Sequence, residues 1–152
     1  MKNSYQGSIE EVRALSAYVK LMRATESVTA RIHRHLADVG LTISQFGVLD
    51  ALFHIGPLNQ GEIGKKILKT SGNITMIVDN LEKRGLVKRT RMAEDRRIIS
   101  VQLTENGHLL MKKVFPKHAA SVAEKMGVLS SSEQDELARL CKKLGLGLSM
   151  QE

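Results

Sequence analysis

The chain has 152 residues, of which 42% are hydrophobic and 3% aromatic, with no tryptophan. This length favours one domain with an aliphatic core, and only two prolines leave room for long helices. The formal net charge of +7 at pH 7 favours a polyanionic partner, either nucleic acid or an acidic membrane surface.

Cysteine usage and the N-terminal sequence indicate where the protein works. The single cysteine, Cys141, excludes an internal disulfide framework and is typical of the reducing cytosol. The N-terminal sequence MKNSYQGSIEE lacks the apolar segment of a signal peptide, and no stretch approaches the length of a membrane span. We therefore expect a cytoplasmic protein with no membrane partner.

The N-terminal part is predicted to be helical. Apolar residues recur at spacings of three and four over residues 8–38, which predicts one long helix ended by Gly40. Thr42 to Gln45 has the T-x-x-Q form of a capping box and should open a short second helix, which Gly56 and Pro57 end.

The middle of the chain predicts a helix-turn-helix over residues 59–84. Asn59 to Glu62 is a weaker N-cap signal for its first helix. Its second helix has a stripe at helical spacing, and Gly85 should form a left-handed C-cap. The stripe consists of Ile74, Ile77, Val78 and Leu81. By itself, the pattern would also fit a simple helical hairpin.

Two alternating segments follow, Leu86–Arg91 and Ile98–Thr104, and they predict an antiparallel hairpin. A helix-turn-helix followed directly by a hairpin is a winged helix. Residues 61–100, which cover most of both, hold ten basic and five acidic residues and so carry a net +5 of the total +7. A solvated charged surface is the alternative explanation, but the clustering favours a nucleic-acid partner.

The C-terminal part predicts two more helices. One runs from Thr104 to Met126 and should be kinked or divided at Pro116. A capping box from Ser130 to Glu133 opens the last helix. Its apolar face consists of Leu137, Leu140, Cys141, Leu144 and Leu148.

The predicted fold is mainly α with a small β-hairpin wing. The apolar stripes at both ends of the chain would face water in a monomer, so we expect a homodimer. The expected organisation is an N-terminal dimerisation helix over residues 1–41, a winged helix-turn-helix over 42–104 and C-terminal dimerisation helices over 105–152.

The outer face of the second helix in the helix-turn-helix should contact base edges in the major groove. These residues are Ser71, Gly72, Asn73, Thr75 and Met76. The wing and the basic residues around it should contact phosphates and the adjacent minor groove. This second set consists of Lys65, Lys69, Lys88, Arg89, Asp95, Arg96 and Arg97.

The wing tip carries four successive charges, Glu94 to Arg97. Asp95 lies two residues before Arg97, close enough to hold its guanidinium in a bidentate pair. A turn that is merely made soluble by charged residues is the alternative explanation.

These segments together resemble the multiple antibiotic resistance regulator (MarR) family of winged-helix repressors. The likeness is carried by SGNITMIVDNLEKRGLVKRT and DRRIISVQLTENG, and LTISQFGVLDAL is similar to the family's second helix. The D-x-R wing tip is present in Asp95 and Arg97, and the L-T-x-x-G sequence in Leu103, Thr104 and Gly107. The likeness extends over roughly residues 10–146.

The resemblance implies an obligate dimer on a pseudo-palindromic operator, usually a repressor that a small ligand releases. It also implies that Arg97 enters the minor groove, oriented by Asp95, while the helix over residues 71–84 enters the major groove. In similar proteins, phenolic or other aromatic acids bind a crevice between the dimer helices and the winged helix. The candidate wall residues, each also compatible with a plain core or surface role, are Met22, Arg23, His33, Phe46, His54 and Phe115.

Other functions have weaker support. Cys141 lies in an apolar stripe, where we expect a buried, inert thiol rather than a redox sensor. His33 and His35 would point about 200° apart on a helix, so we expect neither a metal site nor a cofactor. Enzyme motifs such as a phosphate-binding glycine loop or a nucleophile elbow are not found, so we do not expect an enzyme. A winged helix that binds another protein instead of DNA remains the alternative, and the basic wing counts against it.

Overall fold

The structure is a computed structural model that describes residues 5–67 and 71–149, with only the backbone given for Ser71, Gly72 and Ser149. The elements in chain order are α1 (Ile9–Ile32), a 3₁₀ segment (His33–Val39), α2 (Ile43–Ile55), β1 (Leu58–Asn59), α3 (Gln60–Ile67), α4 (Ser71–Lys83), β2 (Val87–Arg91), β3 (Ile99–Leu103), α5 (Glu105–Met126) and α6 (Ser131–Ser149). The chain forms two compact units, which we call the inner unit, His33–Ala119, and the outer unit, the residues on either side of it.

The inner unit contains a three-stranded antiparallel sheet in the order β1-β3-β2. The predicted hairpin is confirmed, with Val87 opposite Leu103 and Arg91 opposite Ile99. Strand β1 was not predicted, because two residues are too few to show an alternating pattern. The fold class, mainly helical with a small β wing, is confirmed.

An aliphatic core fills the inner unit between the helices and the sheet. The predicted stripe of α4 is confirmed, since its four residues are between 0% and 8% exposed. Residues of α2, α3, the strands and α5 pack around it, including Leu49, Leu52, Ile63, Val101 and Met111.

The predicted helix starts are confirmed as reciprocal capping boxes. In α2, the Thr42 hydroxyl accepts from Gln45 N at 3.1 Å, and the Gln45 side chain accepts from Thr42 N at 3.0 Å. The same exchange joins Asn59 with Glu62 and Ser130 with Glu133. Gly85 has the expected positive φ of 69°, which a side chain would disfavour.

The long helix predicted for residues 8–38 is wrong at its C-terminal end, because α1 stops at Ile32 and a 3₁₀ segment follows. Leu36 in this segment is 1% exposed, so the tighter winding directs it into the core of the inner unit. The Arg84 guanidinium holds the end of the segment by donating to the carbonyls of Val39 and Gly40 at 3.1 and 2.8 Å.

Pro116 does not divide α5, contrary to one form of the prediction, and the helix continues to Met126. The proline removes the bond to the carbonyl four residues earlier, at Lys112. Both residues are exposed, so water can satisfy that carbonyl and the helix persists.

The outer unit presents exposed apolar side chains on both of its long segments. On α6, the exposed fractions are 47% for Leu140, 51% for Leu144 and 58% for Leu148, and on α1 Met22 is 50% exposed. Cys141 is exposed in the single chain rather than buried as expected. Burial of this surface in a homodimer stays a prediction.

No single helix among the described residues is long and apolar enough to cross a membrane. Within the same described ranges, one bent pair, Ile9–Val39 with Ile43–Ile55, is long and apolar enough by length and composition. The assignment of DNA binding to residues 42–104 and of dimerisation to the residues on either side stays a prediction.

Candidate nucleic-acid interface

The exposed face of α4 is opposite its buried stripe. Asn73, Thr75 and Met76 are exposed, Met76 to 58%, while Ile74 and Ile77 face the core. The helical period of 3.6 residues therefore directs the predicted base-contacting side chains outward from a fixed helix. Of this predicted set, Ser71 and Gly72 are described only in their backbone, and Lys69 of the predicted phosphate-contacting set lies outside the described residues.

Two polar side chains link α3 to α4 beside this face. Gln60, the first residue of α3, donates from Nε2 to the Thr75 hydroxyl at 2.9 Å. The Gln60 carbonyl oxygen accepts from the Arg89 guanidinium on β2, from Nε at 3.3 Å and from Nη2 at 3.2 Å. The side-chain amide of Gln60 thus connects Thr75, a predicted base-contacting residue, to Arg89 on the wing.

Arg89 also binds two carboxylates of α4. Its Nη2 lies 2.6 Å from Asp79 Oδ1, and its Nη1 lies 2.7 Å from Glu82 Oε2. Glu82 Oε1 in addition accepts from the Arg89 backbone N–H at 3.1 Å. Partial burial lowers the pKa of Arg89, but hydrogen bonds and charge attraction from Asp79 and Glu82 together raise the pKa above its usual value.

The basic residues predicted to contact the DNA phosphates and the minor groove differ in their exposure to solvent. Lys65, Lys88, Arg96 and Arg97 are exposed, whereas the side chain of Arg89 is only 22% exposed. Lys88 and Arg89 are neighbours on β2, so their side chains point to opposite faces of the sheet. Arg89 shares its face with buried Val87, which directs it towards the helices rather than towards solvent.

The wing tip is a turn stabilised by Asp95. The Asp95 carboxylate accepts a hydrogen bond from the Arg97 backbone N–H at 2.9 Å. The backbone carbonyl of Asp95 accepts a second one from the Ile98 N–H at 3.0 Å. Within the described part of the chain, no ion pair joins Asp95 to the Arg97 guanidinium, so the expected bidentate pair is wrong. An aspartate two residues before an N–H closes an Asx turn more readily, and this leaves the Arg97 guanidinium exposed.

The L-T-x-x-G sequence joins the wing to α5. The Thr104 hydroxyl donates to the Gly85 carbonyl at 2.6 Å and accepts from Gly107 N at 3.1 Å. A Cβ atom added at Gly107 would lie 2.1 Å from the Leu86 carbonyl oxygen, so only glycine allows this approach. Leu103 is 7% exposed and anchors the strand in the core. These contacts fix the wing relative to the core of the inner unit.

A cavity of about 710 Å³ lies in the inner unit, and no described residue of α4 lines it. His33, Phe46 and His54 from the predicted effector set line it. Phe115 is not in its wall but lies against His54, with ring centroids 4.5 Å apart. Met22 and Arg23 belong to the outer unit, and their part in an effector site stays a prediction.

Several cavity residues were not predicted from the sequence, among them Asp50, Lys66 and His118. His118 packs against Phe46 with ring centroids 4.5 Å apart and lies 5.4 and 5.5 Å from the rings of His33 and His35. The sequence feature that could have indicated His118 is its position seven residues after Met111. This spacing places it on the same face of α5 as that buried residue.

Electrostatics at His118 favour its neutral form. Desolvation lowers the pKa of His118, and the nearby His33 and His35 lower it further, against a smaller opposing effect of Asp50. Its Nδ1 atom is buried and has no hydrogen-bond partner among the described residues. Asp50 in turn lies 3.3 Å from His54 Nε2.

His33 and His35 do not point apart as predicted, because both lie on the 3₁₀ segment and both rings approach His118. Even so, across the described ranges no group of three or more histidine, cysteine or acidic side chains is arranged to hold a metal ion.

An outward-facing helix on a buried stripe, followed by a basic hairpin, defines a winged helix-turn-helix protein of the DNA-binding type. Comparison with known proteins agrees. A sequence model of the MarR family matches residues 41–99. The transcriptional regulator MhqR of Bacillus subtilis is 37% identical over 134 residues, which cover 88% of this chain and 92% of that protein.

Solved structures show the same fold. AbsC from Streptomyces coelicolor, a MarR family transcriptional regulator, superposes with a TM-score of 0.79 at 23% identity and covers 96% of this chain and 99% of its own. BpsR from Bordetella bronchiseptica, whose DNA binding is regulated by 6-hydroxynicotinic acid, superposes with a TM-score of 0.77 at 25% identity. The match covers 86% of this chain and 98% of that chain. The chain belongs to the MarR family and is a winged-helix transcriptional regulator.

Proposed function

We propose that the protein is a homodimeric repressor of a pseudo-palindromic operator and that a small aromatic acid releases it from DNA. One observation carries the DNA-binding part of this proposal. The exposed face of α4 and the exposed arginines of the wing tip belong to the same compact unit, with α4 seated on a buried stripe. A protein-interaction module would not need this combination of polar helix face and cationic tip.

In this proposal α4 enters the major groove. Asn73 and Thr75 supply hydrogen-bonding groups for base edges, and Met76 supplies an apolar contact for a thymine methyl. The N-terminal residues Ser71 and Gly72 complete the set by their position in the sequence. These residues set the choice of operator sequence.

The wing and its surroundings supply affinity. Lys65 and Lys88 are exposed cations suited to phosphate oxygens, and Lys69 joins them by sequence. Arg96 and Arg97 at the tip suit a narrow, strongly negative minor groove. Asp95 positions Arg97 through the backbone of the turn, as the 2.9 Å contact supports.

The cavity of the inner unit is the proposed effector site. Its volume of about 710 Å³ is within the usual range of small-molecule sites. Phe46 and neighbouring apolar side chains suit a planar ring, and Lys66, His118 and their polar neighbours suit a carboxylate or a phenol. The likeness to BpsR, described with 6-hydroxynicotinic acid, supports a ligand of this chemical class.

The position of the cavity also suggests how a bound ligand would change the position of the DNA-binding helix α4. Lys66 and Ile67, at the C-terminal end of α3, form part of its wall. A Cβ added at Gly47 would lie 3.3 Å from Ile67 Cγ2, so α2 and α3 are packed closely there. A ligand that displaces Ile67 would shift α3, and through the Gln60–Thr75 hydrogen bond it would shift α4.

Selection from a random DNA pool tests the proposal without knowledge of the operator. The protein should enrich one two-fold symmetric sequence whose half-sites lie about 34 Å, or one helical turn, apart. Enrichment of no sequence after repeated rounds would contradict the proposal and favour an interaction module. Aromatic acids can then be screened for release of the selected DNA.

A further inference from the structure

We propose that Arg89 is a positioning residue for sequence-specific recognition, which fixes α4 and Gln60 against the wing instead of binding a DNA phosphate. This inference rests on the proposed DNA-binding function and assigns Arg89 a role different from that of the other cations around the wing.

The hydrogen bonds of Arg89 are the first support. A guanidinium has five N–H donors, and in Arg89 four of them are used. Two N–H groups bind Asp79 and Glu82, and two converge on the carbonyl oxygen of Gln60. A bidentate phosphate contact needs two N–H groups on one edge, so Arg89 could make such a contact only by giving up a carboxylate or the amide.

Local charge is the second support. Two carboxylates lie against one guanidinium, so Arg89, Asp79 and Glu82 together carry one negative charge. A phosphate approaching this group would be repelled. Lys88, the neighbouring residue on β2, is exposed and points to the other face of the sheet, and it therefore provides a matched comparison.

The connection to base recognition is the third support. Because the Gln60 carbonyl oxygen faces the Arg89 guanidinium, its NH₂ group faces the Thr75 hydroxyl. Arg89 thereby determines the orientation of Gln60, and Gln60 holds a side chain of the base-contacting face. Asp79 and Glu82 lie one and two turns further along α4. One arginine thus holds the recognition helix at several points along its length.

The test compares affinity for the selected operator with affinity for random DNA at several salt concentrations. We expect Arg89→Met to lower the ratio of operator to random affinity by about tenfold. Its slope of log affinity against log salt on random DNA should stay that of the wild type. Lys88→Met should instead weaken binding to both DNAs equally and reduce the slope by about 0.9 for each lost phosphate contact.

Two further variants keep the test decisive if Arg89→Met unfolds. Arg89→Lys keeps the charge but cannot make the forked contacts, so it should not restore the affinity ratio. The double variant Asp79→Asn with Glu82→Gln should lower the ratio although Arg89 is present. Because this double variant removes two negative charges, binding to both DNAs should strengthen in either case, and the affinity ratio is the deciding measurement. If Arg89 were only a phosphate ligand, the ratio would stay that of the wild type.

Two results would overturn the inference. One is that Arg89→Met behaves like Lys88→Met, with an equal loss on both DNAs and a reduced slope. The other is full recovery of the affinity ratio in Arg89→Lys. A wild-type protein that selects no DNA would instead overturn the proposed function, so the two failures are distinguishable.

Discussion

At Gly107, two parts of the inner unit approach so closely that a single methyl group matters. A Cβ there would lie 2.1 Å from the Leu86 carbonyl oxygen, which is backbone and cannot rotate away. We expect Gly107→Ala to lower the free energy of unfolding by about 1–3 kcal/mol in urea denaturation, because the backbone must shift. Asn106→Ala, at the exposed neighbouring position, is the control and should change stability by less than about 0.5 kcal/mol. Equal stability of the two variants would contradict this account of the L-T-x-x-G sequence.

His118 makes stability depend on pH with a definite sign. Desolvation and the neighbouring His33 and His35 lower its pKa in the folded protein, so below about pH 6.5 the unfolded chain binds more protons than the folded one. The free energy of unfolding is therefore highest above that pH, where the His118 ring is neutral in both states. It decreases as the pH falls towards the lower pKa of His118 in the folded protein.

We therefore expect wild-type protein to unfold at lower urea concentration at pH 5.5 than at pH 7.5, and His118→Phe to reduce that difference. His108→Asn, a change to an exposed histidine on the same helix, should leave the difference in place because His118 remains. The same pH dependence in His118→Phe as in the wild type would show that another group is responsible.

Among the elements, the wing gives the sharpest prediction for DNA binding. Arg97→Ala should weaken operator binding by about tenfold or more while leaving the far-ultraviolet circular dichroism and the unfolding transition unchanged. Arg91→Ala removes the same charge from an exposed position on β2 and is the matched control. If both variants lose affinity equally, the effect is one of net charge, and the minor-groove role of Arg97 is wrong.

Elements whose signals are local could be predicted from the sequence. The capping boxes at Thr42 and Ser130 depend on side chains three residues apart, and both formed as expected. The buried stripe of α4 likewise follows from helical spacing alone. The hairpin was predicted because its two strands are short, alternating and close in the sequence.

Features that depend on distant residues were missed or misjudged. The 3₁₀ segment forms where Leu36 enters the core and Arg84 binds the carbonyls of Val39 and Gly40 at the end of the segment, 45 and 44 residues away in sequence. Arg89 looked like a free cation because all its partners lie on other elements, Gln60 29 residues away and Asp79 and Glu82 10 and 7 residues away. The surroundings of His118 depend on the 3₁₀ segment, which was not predicted from the sequence.

For the whole molecule, the exposed apolar face of α6 is the basis for the proposed homodimer. Leu144 is 51% exposed in the single chain, and we expect Leu144→Asp to give monomers in sedimentation velocity, because a charge in a buried interface is strongly unfavourable. Leu109→Asp is the control, since Leu109 is an equally exposed leucine, at 58%, on α5. A Leu144→Asp protein that sediments as a dimer would refute the proposed interface.

The central claim is specific DNA binding, and fluorescence anisotropy measures it most directly. The purified protein would be titrated onto labelled DNA from beside its own gene, with random DNA of equal length as control, at two salt concentrations. The account predicts much tighter binding to the first DNA and a loss of affinity on both as salt rises. Equal, weak binding to both DNAs, together with no sequence enriched by selection, would contradict it.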